Sequence, residues 1–148
     1  MVSAFSGSSD YKDFDSGDEL NNPISEMISK IGEMAKEIYS ALGPGHSESV
    51  YHNAFEVILR KNCIDYETER IQLIYFEGHV VGNFRLDLVI KTPMPTACTE
   101  DKIIVELKSI SKLKDQEILQ VKNYMKTALV KHAVLINFGP SLEVKMVS

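Results

Sequence analysis

After Asn22, apolar side chains recur at helical spacing. Ile24, Met27, Ile28, Ile31, Ala35, Ile38, Tyr39 and Leu42 fall on one face and predict a packed amphipathic helix. Asn22-Pro23 suits its start, because a capping side chain precedes a proline whose missing N–H would be an orphan donor in any case. Gly43-Pro44-Gly45 ends it, since proline cannot continue the hydrogen-bond ladder and glycine reaches conformations other residues avoid. A second stripe of Val50, Tyr51, Ala54, Phe55, Ile58 and Leu59 predicts a helix from about Ser47 to Lys61.

Past Cys63 the pattern changes to extended segments. Tyr66 to Glu69, Ile71 to Phe76, Val80-Val81 and Asn83 to Ile90 read as strands, with a turn at Glu77-Gly78. Thr92 to Asp101, with Pro93 and Pro95, reads as a loop before the short apolar strand Ile103 to Leu107. Asp115 to Leu129 is helical by its Ile118, Val121, Met125 and Leu129 spacing, and Ala133 to Phe138 and Leu142 to Met146 are the last strands. Strands interleaved with helices predict an α/β domain.

Composition limits what this domain can be. The chain has 148 residues, 44% of them hydrophobic, which fits one globular domain over residues 23–148. Residues 1–22 are rich in Ser, Gly and Asp and hold too little apolar surface to offset the entropy of ordering, so an acidic disordered tail is expected. No apolar run approaches the ~18 residues of a membrane span, and the N-terminus lacks the order of a secretory signal. The expectation is a soluble protein of the cytoplasm or nucleus. Cys63 and Cys98 have no Cys-x-x-Cys partner and read as free thiols.

Net charge is −5, which taken alone argues against a nucleic-acid partner. Its distribution says otherwise. Residues 1–22 hold five acids and one lysine, and residues 23–101 hold twelve acids and seven bases; residues 102–148 hold eight lysines against four acids. A phosphate backbone lying along the last third would account for this, with Lys112, Lys114, Lys122 and Lys126 as candidate contacts. A lysine-rich solvated face is the plainer account.

The chemistry depends on where side chains point. By strand parity Phe84, Leu86, Leu88 and Ile90 share one face, leaving Arg85 and Asp87 on the other. In the next strand Ile103, Val105 and Leu107 share a face, while Glu106 and Lys108 point the other way. If these strands pair, Asp87, Glu106 and Lys108 converge. Two carboxylates can bind a hard cation such as Mg²⁺, and a lysine beside them can orient or deprotonate a water and stabilise charge on a phosphodiester. A second Glu-x-Lys, at Glu143-Val144-Lys145, has no evident carboxylate partner.

Gly45-x-x-Glu48-x-x-Tyr51, Phe84-Arg85-Leu86-Asp87-Leu88-Val89, Val105-Glu106-Leu107-Lys108, Gln120-x-x-x-Tyr124 and Leu135-Ile136-Asn137-Phe138-Gly139 resemble the GxxExxY protein family of the PD-(D/E)XK nuclease superfamily. The likeness runs over roughly residues 24–148. It implies a restriction-endonuclease-like α/β core, a mixed central β-sheet flanked by α-helices. It also implies that Glu48, Asp87 and Glu106 hold Mg²⁺ or Mn²⁺, with Lys108 as the catalytic lysine. Glu48 would lie near a helix N-terminus, which favours the ionised form. Gln120 and Tyr124, four apart on one helical face, would assist the lysine or contact nucleic acid.

Plainer accounts stand beside these roles. Tyr51 shares a stripe with Phe55 and reads as a core aromatic, and Gln120 with Tyr124 could be a surface pair. His46, His52, His79 and His132 have no metal-ligand spacing. Two function classes follow. One is a metal-dependent nuclease acting on DNA ahead of RNA, with a homodimer as an option. The other is a catalytically inactive nuclease-fold module binding nucleic acid or a protein partner.

Overall fold

The structure is a computed structural model and describes residues 22–93 and 100–148. The expected acidic tail, apart from Asn22, lies outside the described residues, as does Cys98. Helices α1 (Pro23–Leu42) and α2 (Glu48–Lys61) precede strands β1 (Tyr66–Phe76), β2 (His79–Pro93) and β3 (Glu100–Lys108). Helix α3 (Asp115–Ala128) and strands β4 (His132–Phe138) and β5 (Leu142–Val147) follow. The strands form one mixed sheet in the order β1-β2-β3-β4-β5. Only β3 and β4 run parallel, with α3 as their crossover; the other neighbours are antiparallel.

Local signals explain the elements. The Asn22 side chain accepts a hydrogen bond from the Ile24 N–H (3.0 Å), capping α1 ahead of its proline. At the other end Leu129 adopts a left-handed conformation and ends α3 one residue before the expected limit. β1 and β2 are each one strand where the sequence reading divided them. The expected loop is shorter too, because Thr92 pairs with Asp101 and Pro93 with Glu100. Cross-strand pairing there supplies backbone partners that local composition does not reveal.

The sheet is covered on both faces. Ile31, Ile38, Tyr51, Phe55 and Leu59 of α1 and α2 pack on Leu88, Ile90, Val105, Leu107, Ile136 and Phe138. Val121 and Met125 of α3 pack on Leu86, Val89, Ile104, Ala133 and Leu135 on the opposite face. Central strands buried on both faces account for the continuous apolar runs of β3 and β4. No helix among the described residues is long and apolar enough to cross a membrane.

Candidate active site

Glu106 and Lys108 project from the α3 face of β3, opposite Val105 and Leu107, as parity requires. Glu106 is buried, and its Oε1 has no hydrogen-bond partner. Lys108 Nζ donates to Gln120 Oε1 on α3 (3.1 Å). The spacing Glu106-x-Lys108 and the position of Gln120 thus meet across one strand–helix contact.

Asp87 arrives differently from the parity argument. Leu88 and Ile90 pack against α1 and α2, whereas Phe84 and Leu86 join Val89 on the α3 side. The expectation that Phe84, Leu86, Leu88 and Ile90 share one face is therefore incorrect. The face changes at Asp87, where Glu69 on the neighbouring strand has a left-handed φ of 51° and the Glu69/Asp87 pair drops out of the register. An irregular residue of this kind turns the strand and re-aims its side chains. β2 and β3 also part here, since their ladder stops at Leu88 and Val105. The Leu107 N–H then donates to Asp87 Oδ2 (2.9 Å) in place of a ladder carbonyl.

Three carboxyls crowd the place where the strands part. Burial, then the neighbouring Asp87 charge and a hydrogen bond that the protonated Glu106 carboxyl donates to Asp87, push the Glu106 carboxyl up to about 9, against a weaker opposing pull from Lys108. Glu48 lies near enough to feel both Asp87 and Lys108. Its carboxyl is raised above the ordinary range by burial and then by Asp87, although the residue keeps an exposed side. The expected preference for the ionised form at a helix start is opposed here by burial and then Asp87, with Lys108 and His52 pulling the other way. Tyr124, stacked on Phe84 at 4.2 Å, has its hydroxyl pushed up to about 12 by burial and then by Glu106 and Asp87.

The loop before α2 is fixed by the motif that precedes Glu48. Gly45 has φ 99°, a conformation open to glycine at little cost. Tyr51 is fully buried, stacks on Phe138 at 4.3 Å, donates its hydroxyl to the Gly43 carbonyl (2.6 Å) and accepts from the His46 N–H (3.3 Å). Ser109 Oγ donates to the His46 carbonyl (2.8 Å), tying this loop to the end of β3. Tyr51 is the core aromatic that its stripe predicted, and it also fixes the entry to the first turn carrying Glu48.

The sequence reading gave no role to a second polar cluster. Asn137 is fully buried; its Oδ1 accepts from the Ile110 N–H (2.9 Å), and its Nδ2 donates to the Ile110 carbonyl (3.0 Å) and to Glu143 Oε2 (2.8 Å). Glu143 Oε2 also accepts from the Leu113 N–H (3.0 Å). The second Glu-x-Lys is thus a clamp on the segment after Lys108. A Cβ at Gly139 would lie 2.4 Å from the Ile110 carbonyl oxygen, so the same segment needs glycine there. An Asn inside an apolar strand was the available signal, because a buried amide needs partners. Glu117 was also missed. It is buried with Oε2 unpartnered and shares a cavity of about 390 Å³ with Lys108 and Gln120.

Lys112, Lys114, Lys122 and Lys126 are all exposed; Lys114 caps α3, and Lys126 lines a groove beside Tyr124. His52 bonds Thr68 and Glu56 and lines a cavity with Glu48 and Asp87, and His46 meets the Leu42 carbonyl. Among the described residues no three His, Cys, Asp or Glu side chains are gathered closely enough to hold an ion by themselves.

The family model of the PD-(D/E)XK nuclease superfamily matches residues 25–147. The chain belongs to the PD-(D/E)XK nuclease superfamily. Its mixed five-stranded sheet with three helices is the restriction-endonuclease-like α/β fold expected from the sequence. Among solved structures it is similar to "Crystal structure of SSO0001", at 21% identity and a TM-score of 0.52, over 83% of this chain and 60% of that one. This PD-(D/E)XK chain therefore spans less than two thirds of that structure, and the likeness is one of fold. No curated protein matches it.

The Asp87 carboxylate and the buried, unpartnered Glu106 Oε1 are oxygen donors suited to a small hard cation once Glu106 gives up its proton. Mg²⁺ takes one or two protein carboxylates and completes its shell with water, so a cage of three side chains is not required. The residues present fit the divalent metal that the superfamily generally uses.

Proposed function

We propose that this chain is a metal-dependent nuclease that hydrolyses phosphodiester bonds, of DNA ahead of RNA, and that it is a GxxExxY member of its superfamily. The supporting observation is the meeting of Asp87, Glu106 and Lys108 where β2 and β3 part, with Glu106 Oε1 buried and unpartnered. Asp87 and Glu106 would hold Mg²⁺ or Mn²⁺, and Glu48 would act on its water shell. When bound, the metal supplies Lewis acidity and a more acidic water.

The chain's own groups do the rest. Asp87 is anchored by the Leu107 N–H, so its carboxylate is oriented before any ligand arrives. Lys108, held by Gln120, sits next to Glu106 and can position a water or stabilise negative charge on the phosphate. The Tyr51 and Asn137 clamps fix the two loops that border these groups.

Cleavage of labelled oligonucleotides with Mg²⁺ or Mn²⁺ tests this directly. Activity should be lost with EDTA and in folded Asp87→Ala and Lys108→Ala variants. Undiminished cleavage in both variants would sink the mechanism. A second reading, an inactive module that binds nucleic acid or a protein, draws on the absence of a closed three-ligand cluster among the described residues. Metal-dependent turnover that disappears in Glu106→Gln would exclude it.

A further inference from the structure

The β1–β2 hairpin separates from the rest of the sheet. β2 pairs with β3 only from Leu88 onward, so His79 to Leu86 are paired with β1 alone. Between this arm and α3 lies a groove of about 1000 Å³. Tyr75 and Phe84 line it from the hairpin, and Gln116, Asn123, Tyr124 and Lys126 line it from α3. No Asp or Glu lines it.

The groove opens from the candidate active site. Gln120 lines it and also accepts the hydrogen bond from Lys108 Nζ. Tyr124 lines it and feels the charges of Glu106 and Asp87. A polymer whose phosphate lies against Asp87, Glu106 and Lys108 must continue along a neighbouring surface, and this groove adjoins the lysine.

We propose that this groove holds unpaired nucleotides flanking the reactive phosphate, which makes single strands, rather than duplexes, the substrate class. The proposal rests on the nuclease reading and deepens it. Three aromatic rings and four amides line the groove beside Leu73, Ile74, Leu119, Thr127 and one lysine, a mixture suited to bases rather than to a phosphate track. Ring faces accept bases by stacking, and those faces are free only when the base is unpaired. Tyr75 is 60% exposed and offers such a face at the groove wall, beside the stacked Phe84 and Tyr124. Asn123 and Gln116 each present a donor and an acceptor that can meet base edges. With one lysine, the groove itself has little means of gaining affinity from many phosphates, as duplex binders do.

The test uses the full chain in EDTA, where cleavage is suppressed, with fluorescence anisotropy of a labelled oligodeoxythymidine and of a blunt duplex of equal length. The single strand should bind at least ~10-fold more tightly, with Tyr75→Ala weakening it roughly five- to a hundredfold, the range of one lost base stack. Asn123→Ala should weaken it as well, and Lys126→Ala should lower the salt slope by about one. Tyr75 and Asn123 are exposed, so unchanged melting temperatures should accompany both losses. Equal binding of strand and duplex would overturn the inference. So would single-strand binding untouched by Tyr75→Ala, which would leave the groove to another occupant such as a peptide. Failure of the nuclease reading looks different: Tyr75-dependent strand binding with no metal-dependent cleavage of either substrate.

Discussion

Asp87 and Glu106 stand opposite each other one step beyond the last paired residues of β2 and β3, and burial together with the Asp87 charge pushes the Glu106 carboxyl up to about 9. A buried acid beside a second carboxylate ionises only at a cost in free energy unless a further cation joins them. The pair is therefore a site of stored cost in the metal-free protein.

That cost predicts a gain in stability from removing it. A carboxyl raised from 4.5 to about 9 in the folded state contributes stability in full below 4.5 and loses it as pH rises toward 9, because the unfolded chain releases its proton earlier. Glu106→Gln keeps the shape and removes the proton dependence. In EDTA at pH 8 it should be more stable than the parent by at least ~1 kcal/mol, given ~1.4 kcal/mol per unit of pKa elevation. Urea denaturation between pH 5 and pH 9 checks this: the advantage should grow with pH, and a constant or falling difference would contradict a raised Glu106 carboxyl.

Tyr51 links the core to the first turn of α2. Tyr51→Phe keeps the stack on Phe138 but removes the donor to the Gly43 carbonyl and the acceptor for the His46 N–H. The expected loss is ~1–3 kcal/mol of stability. Calorimetric Mn²⁺ titration should show weaker binding as well, since the loop that leads into Glu48 loses its anchor. Unchanged Mn²⁺ affinity would detach Glu48 from the metal.

Much of the fold was legible because apolar periodicity and caps act locally: Asn22-Pro23, the Gly43-Pro44-Gly45 stop and the α1 and α2 stripes read correctly, except that Leu42 and Val50 at the stripe ends are exposed. Parity placed Glu106 and Lys108 together for the same reason. It failed on β2 because the face changes at Asp87, opposite a non-glycine residue in a left-handed conformation, and Glu69 carries no sequence signature for that. Asp87 still joins the site, by a turn of the strand rather than by simple alternation. The influences on Glu48 that oppose its helix-start charge preference, desolvation and Asp87, come from tertiary packing and carry no local signal. The partners that Glu143 does have, Asn137 and the Leu113 N–H, were not legible because they reach it through the pairing of β4 with β5 and the loop after β3.

Asn137 makes three hydrogen bonds with no exposure to water, and Ile110, which takes two of them, follows the catalytic strand closely. Asn137→Ala would leave the Ile110 N–H, the Ile110 carbonyl and Glu143 short of partners. The expected cost is about 2–4 kcal/mol. Nuclease activity measured well below the new melting point should also fall, because the segment leading from Lys108 to α3 is no longer fixed. Asn137→Asp is the informative companion: it keeps an acceptor for the Ile110 N–H but sets a carboxylate against Glu143, so its loss should be larger at pH 8 than at pH 5.

A divalent metal that binds the folded chain and not the unfolded one stabilises it by mass action, by ~2.7 kcal/mol at a hundredfold excess over its dissociation constant. Mg²⁺ or Mn²⁺ should therefore raise the melting temperature of the parent chain, and EDTA should reverse the rise. Protons compete for Glu106, whose carboxyl is raised well above the ordinary range, so the metal-induced shift should increase from pH 6 to pH 9. Asp87→Asn should abolish most of it, because that carboxylate would contribute directly to the ion, whereas Glu143→Gln should retain it, since Glu143 binds Asn137 and the Leu113 N–H instead. An equal metal-induced shift in Asp87→Asn would place the ion elsewhere on the chain and remove the basis for assigning the chemistry to the parting of β2 and β3.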